Sequence, residues 1–226
     1  MLSYSFDFSF FLDSWPAFLR GAWQTILLAG ASIAIGFVLA LICAVIRSGK
    51  NKLASGLVGA YVEVIRNTPL LVQIFIVYFG LPSLGLKLSA ETAAVIALVI
   101  NTGAYGSEII RAGIESIAKG QLEAAECLGL NKFQVYWHII MIPAVERVYP
   151  ALSSQFVLLM LSSSITSQIS AQELTAEANL IQSETFRSFE VYLIVAAIYL
   201  ALSVLFRVVL WAIGEVAFVR RRKLRT

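Results

Sequence analysis

The chain has 226 residues, of which 59% are hydrophobic and 14% charged, and its mean hydropathy is +0.82. Soluble domains lie near about 45–50% apolar and about 25% charged, so this composition excludes a soluble globular protein and defines an integral membrane protein. The net charge of +3 is small, and much of the excess sits in RRRKLR at 220–225, which bears on membrane orientation rather than on nucleic acid.

The opening MLSYSFDFSFFLDSW lacks a basic n-region and carries Asp7 and Asp13, so it does not read as a signal peptide. Its aromatic content suggests an N-terminal interfacial segment over 1–20. A spanning helix needs about 20 mostly apolar residues, because the hydrocarbon core is about 30 Å thick and a helix rises about 1.5 Å per residue. By that criterion the fold class is an all-α membrane protein with about five transmembrane helices in a domain covering 21–218, followed by a basic tail at 219–226. The first span, 21–46, is free of charge; the second, 53–81, carries Glu63 and Arg66 near its start; the third, 90–111, holds Glu91 and Glu108. The fourth, 135–163, contains Glu146, Arg147 and Pro150, and Pro143 and Pro150 are expected to kink or split it. The fifth, 191–218, is interrupted by Arg207 and Glu215.

Lys and Arg near helix ends favour the cytoplasm. Arg47, Lys50 and Lys52 follow the first span, Arg111, Lys119 and Lys132 flank the segment between the third and fourth, and the basic tail follows the fifth. Five crossings then place the N-terminus outside and the C-terminus in the cytoplasm, with 166–190 facing out as a gate or docking surface or as an ordinary surface loop. Cys43 and Cys127 form neither a disulfide framework nor a metal motif and are assigned packing roles. His138, beside Trp137 at the start of the fourth span, reads as an interface residue.

Between the third and fourth spans lies KGQLEAAECLGLNKFQVYW. Ala, Leu and Glu favour helix, Gly120 loosens the entry, and Gly129 can take the left-handed conformation that ends a helix. The expectation is a capped helix of two to three turns at 121–130, with Ala124 and Ala125 allowing close approach and Glu123 near the positive end of the helix dipole. Taken alone, it reads first as a solvated connector that links two spans.

EAAECLG followed by an apolar stretch and a proline resembles the EAA loop of bacterial ABC-importer permeases. In that family the loop is a coupling helix seated on the ATP-binding subunit, and Glu123, Ala124, Ala125 and Gly129 match its pattern. The usual proline position, thirteen after the glycine, is Ile142 here, with Pro143 next to it. YVEVIRNTPLLVQ at 61–73 is similar to the R-G-T-P-L-L-V-Q stretch of the polar amino-acid branch (histidine, glutamine or glutamate type), with Asn67 in place of glycine. AYGSEIIRAGIESIAKGQ (104–121) and ETFRSFEVYLIVAAIYLALS (184–203) resemble the same branch. The resemblance implies a permease subunit that moves a polar amino acid, or a derivative such as an opine, across the inner membrane. It implies as partners a dimer of ATP-binding subunits holding ATP and Mg, a second permease subunit, identical or homologous, a periplasmic or lipid-anchored binding protein, and membrane lipid.

The chain itself has no G-x-x-x-x-G-K-[ST], H-E-x-x-H or G-x-S-x-G, so no cofactor, catalytic residue or metal site of its own is expected, and no nucleic-acid partner. Charges inside spans need partners or water, which assigns gating or structural roles to Arg66, Thr68, Pro69, Glu108, Arg111, Glu146 and Arg147. Gln73, Tyr105, Ser153, Ser154 and Gln155 are the candidate substrate cavity, or alternatively interhelical glue. Relatives carrying cationic amino acids have an acidic residue near the position of Gln155, which argues against a basic substrate. A channel or a secondary transporter would not need the EAA helix.

Overall fold

The computed structural model of the chain describes residues 5–218, and the basic tail at 219–226 lies outside them. Helix α1 runs from Phe11 to Arg47, α2 from Lys52 to Arg66, α3 from Leu70 to Ser83, α4 from Ala90 to Glu115 and α5 from Lys119 to Cys127. After these come α6 (Lys132–Ile169), α7 (Leu174–Thr185) and α8 (Ser188–Ala217). Helices α1, α4, α6 and α8 are long and apolar enough to cross a membrane, and the α2–α3 pair gives a fifth crossing if the bent pair counts as one.

The second span differs from the uninterrupted helix expected over 53–81. It breaks at Asn67 to Pro69, and its halves meet at 110°. Pro69 has no N–H to donate and disfavours helix in the residue before it. The freed carbonyls at the end of α2 are taken up locally: Asn67 Nδ2 donates to Glu63 O at 2.8 Å and Thr68 Oγ1 to Val64 O at 2.9 Å. The first helix starts at Phe11, so the latter half of the expected interfacial segment is helix continuous with the span. In the fourth span, Pro143 removes a regular bond and the turns at Val135–Met141 widen, with Ile142 N–H reaching Trp137 O five residues back. Pro150, by contrast, lies within an unbroken helix, Ile142–Ser162.

The chain divides into two compact units. One comprises the chain up to Ala34, Pro69–Leu98 and Val157–Phe206. Its core joins Phe18, Met160, Leu174, Ala178 and Val191 in one cluster, and Leu28, Ile74, Ala94, Leu98 and Leu159 in another. Several buried polar groups here are paired, although the Ser32 hydroxyl is buried without a partner among the described residues. Thr25 Oγ1 donates to Gly21 O at 3.0 Å and accepts the Leu174 N–H at 3.1 Å, and Arg20 pairs with Glu177 at 2.9 Å. Ahead of α1, the Ser9 N–H holds the Asp7 carboxyl below the usual range, and Arg187 lies 3.4 Å from it.

The other unit comprises Ile35–Thr68, Val99–Phe156 and the chain from Arg207. Here α1 and α4 pack through small residues, as spanning helices do. A methyl group on Gly36 would lie 2.5 Å from Thr102 Cβ, and one on Gly106 would lie 2.8 Å from Ala40 Cβ. Arg47, at the end of α1, pairs with Glu108 near the end of α4. Contacts that advance together along both helices make α1 and α4 parallel, so the α2–α3 pair must carry the chain back across between them.

Glu173 caps α7. It is fully buried, accepting the Thr175 and Ala176 N–H groups at 2.9 and 2.7 Å and the Tyr199 O–H at 2.7 Å. Burial outweighs these bonds and pushes its carboxyl above 4.5. The folded chain then holds this proton when the unfolded chain has released it, so stability falls as pH rises from about 4.5 through the raised value. In detergent, the Tm should decline over that window in the wild type and stay flatter in Glu173→Gln. Parallel profiles would contradict this.

Candidate functional site

The segment between α4 and α6 forms α5, nine residues from Lys119 to Cys127. Its end follows the expected logic: Gly129 has φ +72°, and its N–H bonds to Glu126 O at 2.9 Å. Its start does not. The helix begins at Lys119, so Glu123 falls in the second turn and the first turn holds no acid. Ala125 is buried and Ala124 exposed, which leaves the small-residue face half covered. Cys127 is exposed at the helix end, so the packing role expected for it fails, whereas Cys43 is buried.

What fixes α5 is the pair of helices it joins. A methyl on Gly113 of α4 would lie 2.8 Å from Ala144 O of α6, so the backbones touch there. Just past α4, Ser116 receives two hydrogen bonds from Arg147 of α6, at 2.7 Å to its carbonyl and 2.6 Å to its hydroxyl. Beyond α5, Asn131 starts α6 with a reciprocal cap: its side chain accepts the Gln134 N–H at 2.9 Å and its own N–H reaches the Gln134 side chain at 3.0 Å. The short helix therefore sits on a closed brace. A groove of about 550 Å³ lies beside it, lined by Ala124, Ala125, Leu128, His138, Pro143 and Arg147. Leu128, which lines it, is 78% exposed, and Phe133 in the first turn of α6 is 74% exposed.

Glu108 and Arg111 form one ionic cluster. Arg111 Nε donates to Glu108 at 2.9 Å, the Arg47 guanidinium binds the same carboxylate, and Arg111 continues to Glu115. Sequence reasoning treated Arg47 only as a loop charge; its position five residues before Lys52 gave no hint of a partner sixty-one residues on. Arg66 lies over the Tyr105 ring at 5.6 Å, and the Tyr105 hydroxyl donates to Arg66 O at 3.4 Å. Thr68 and Pro69 form the break between α2 and α3.

Gln73 is buried in the first unit, while Tyr105, Ser153, Ser154 and Gln155 belong to the second. Ser153 and Ser154 share a groove of about 490 Å³ between α6 and α8, which Gln155 does not line. Arg207 and Glu215, read in the sequence only as interruptions of the last span, line the same groove.

Long apolar helices, a charge cluster shared by α1 and α4, and a short braced helix with an apolar edge between two of them define a multi-pass helical membrane protein. Residues 18–214 match the family described as binding-protein-dependent transport system inner membrane component, and the chain belongs to that family. It is 41% identical to the probable glutamine ABC transporter permease protein GlnM of Bacillus subtilis, over 87% of this chain and 91% of that one. It is 38% identical to the nopaline transport system permease protein NocM of Agrobacterium fabrum, over 86% and 85% of the two chains. Its fold is similar to that of a crystallised amino acid ABC transporter with histidines, with a TM-score of 0.85 and 37% identity over 94% of this chain and 99% of that one. The MetNI methionine ABC transporter in inward-facing conformations shares the fold, with a TM-score of 0.74 at 19% identity over 91% and 98%.

Replacing Glu108 by Ala would leave Arg47 and Arg111 without their shared anion. The carboxylate is 21% exposed, so the expected loss is on the order of 2–3 kcal/mol, below the roughly 3–5 kcal/mol of a wholly buried pair. Thermal unfolding in detergent should show a lowered Tm for Glu108→Ala and partial recovery in Glu108→Asp. An unchanged Tm would remove the cluster from the account of stability.

Proposed function

We propose that this chain is the membrane-spanning permease subunit of an ATP-driven importer of a polar amino acid, and that α5 is its coupling helix. The observation that carries the reading is the brace: a short helix tied to α4 and α6 by Gly113 against Ala144 and Arg147 on Ser116, with Ala124, Leu128 and Phe133 exposed beside it. A partner surface that seats this apolar edge moves α4 and α6 together, because the brace leaves the helix no independent hinge. The relatives named for glutamine and nopaline transport support a polar amino acid or a derivative such as an opine as cargo.

In this reading ATP and Mg are bound by a separate subunit dimer, and this chain supplies neither a nucleotide site nor catalysis. A second permease subunit completes the path, since the exposed faces of α6 and α8 leave it unenclosed on one chain. A binding protein delivers substrate on the far side, where α7 lies. The basic residues Arg47, Lys50, Lys119 and Lys132 put α5 in the cytoplasm and the N-terminus outside. Glu123, Ala124 and Gly129 form the contact with the ATP-binding subunit, and Ala125, buried beneath them, seats the helix on its own chain; Arg66, Thr68, Pro69, Glu108, Arg111 and Arg147 hold or articulate the bundle. Energy enters as the different affinity of nucleotide for the two conformations.

The test is glutamine-stimulated ATPase activity of the complex co-purified in lipid. Ala124→Arg places a long cation on an exposed position and should leave the permease folded while lowering stimulation about tenfold or more, through at least about 1.4 kcal/mol of lost docking. Gly129→Val, at φ +72°, should cost about 1 kcal/mol or more of local helix-end stability and weaken coupling. Full stimulation in both variants would refute the coupling role.

A further inference from the structure

Arg207 lies ten residues before the end of α8 at Ala217, about 15 Å along the helix. It is exposed, and it makes no ion pair or side-chain hydrogen bond among the described residues. A guanidinium at that depth is costly against lipid, so it faces protein or water. What it faces on this chain is the groove between α6 and α8.

That groove is firmly built. The Tyr149 hydroxyl donates to Leu210 O at 2.6 Å, and its ring lies so close to α8 that a methyl on Gly214 would meet it at 2.6 Å. The spacing of the two helices is thereby fixed, and the space left, about 490 Å³, holds a small amino acid. The Ser153 hydroxyl, which makes no bond within the described residues, lines it. The Ser154 hydroxyl donates to Pro150 O at 3.1 Å, so what it offers a ligand is its lone pairs. Trp211 and Glu215 follow Arg207 at successive turns of α8, with Glu215 about 12 Å further along the axis.

We propose that this groove is a carboxylate station on the transport path. The Arg207 fork takes the carboxylate of a small amino acid bidentately, Ser153 donates to it, and Ser154 accepts from the ammonium group. Glu215 gives the opposite end of the groove a negative charge, so the station favours side chains that are neutral or end in hydrogen-bond donors over acidic ones. The assignment to a transport path rests on the permease reading above; the anion preference of the groove does not.

The experiment uses the whole complex in proteoliposomes, with Cys43→Ala and Cys127→Ala as background and Ser153→Cys as reporter. Its rate of modification is compared for an anionic sulfonate and a cationic trimethylammonium methanethiosulfonate reagent. Ser153→Cys should react, and adding Arg207→Gln should lower the anion-to-cation rate ratio by about tenfold. A reporter that does not react, or a ratio unmoved by Arg207→Gln, overturns the proposal. Glutamine-stimulated ATPase activity of the Cys43→Ala, Cys127→Ala complex with Ser153 and Arg207 intact reports separately on the permease reading. If it is absent while the ratio still shifts, the anion site stands and the permease reading falls; if it is present with no shift, the station alone falls.

Discussion

The contact on which the rest of the molecule turns is the pair of hydrogen bonds from Arg147 to Ser116, made where the backbones of α4 and α6 already touch at Gly113 and Ala144. A nine-residue helix has little stability of its own, and α5 carries Gly120 in its first turn. It is held because both neighbours are held to each other. A side chain on Gly113 would push the helices apart, and loss of Arg147 would open the corner. The same contact gives α5 its mechanical meaning, since a load applied to it reaches two spanning helices at once.

The membrane supplies the second constraint. Glu108 holds Arg47 and Arg111 together where an uncompensated charge would be costly, and the cluster also pins α1 parallel to α4. That parallel arrangement makes the α2–α3 pair a returning limb, bent by 110° where Pro69 interrupts the backbone ladder. Among the described residues, Arg207 is one charge this logic leaves over, and Glu146 of α6 is another. The place of Arg207 in a groove with Ser153 and Ser154 makes sense if the groove is wet or occupied, and less sense if α8 meets lipid there.

Much of this was legible beforehand. Hydropathy alone located the long helices, because a span of about 20 apolar residues is a strong signal, and the glycine and alanine pattern located α5 and its left-handed end at Gly129. What the sequence hid were relations between distant residues. The two-helix break needed the local chemistry of Asn67, Thr68 and Pro69, and Pro69 inside an apolar run reads equally as a tolerated kink. The extension of α1 back to Phe11 was masked by Asp13 and Pro16, which weaken the apolar signal without stopping the helix. Arg47 as a partner of Glu108, and Arg207 as a neighbour of Ser153, follow from helix packing that periodicity does not encode. The candidate cavity was the least legible part, since Ser and Gln serve interhelical contacts and ligands with the same groups.

The most direct measurement replaces Leu128, at the exposed edge of α5, with a photoreactive benzoylphenylalanine and illuminates the whole complex in lipid, with and without nucleotide. The coupling account requires a crosslink to the ATP-binding subunit whose yield changes when ATP is added. Crosslinks confined to lipid or to the permease itself, in a complex that still hydrolyses ATP, would contradict it.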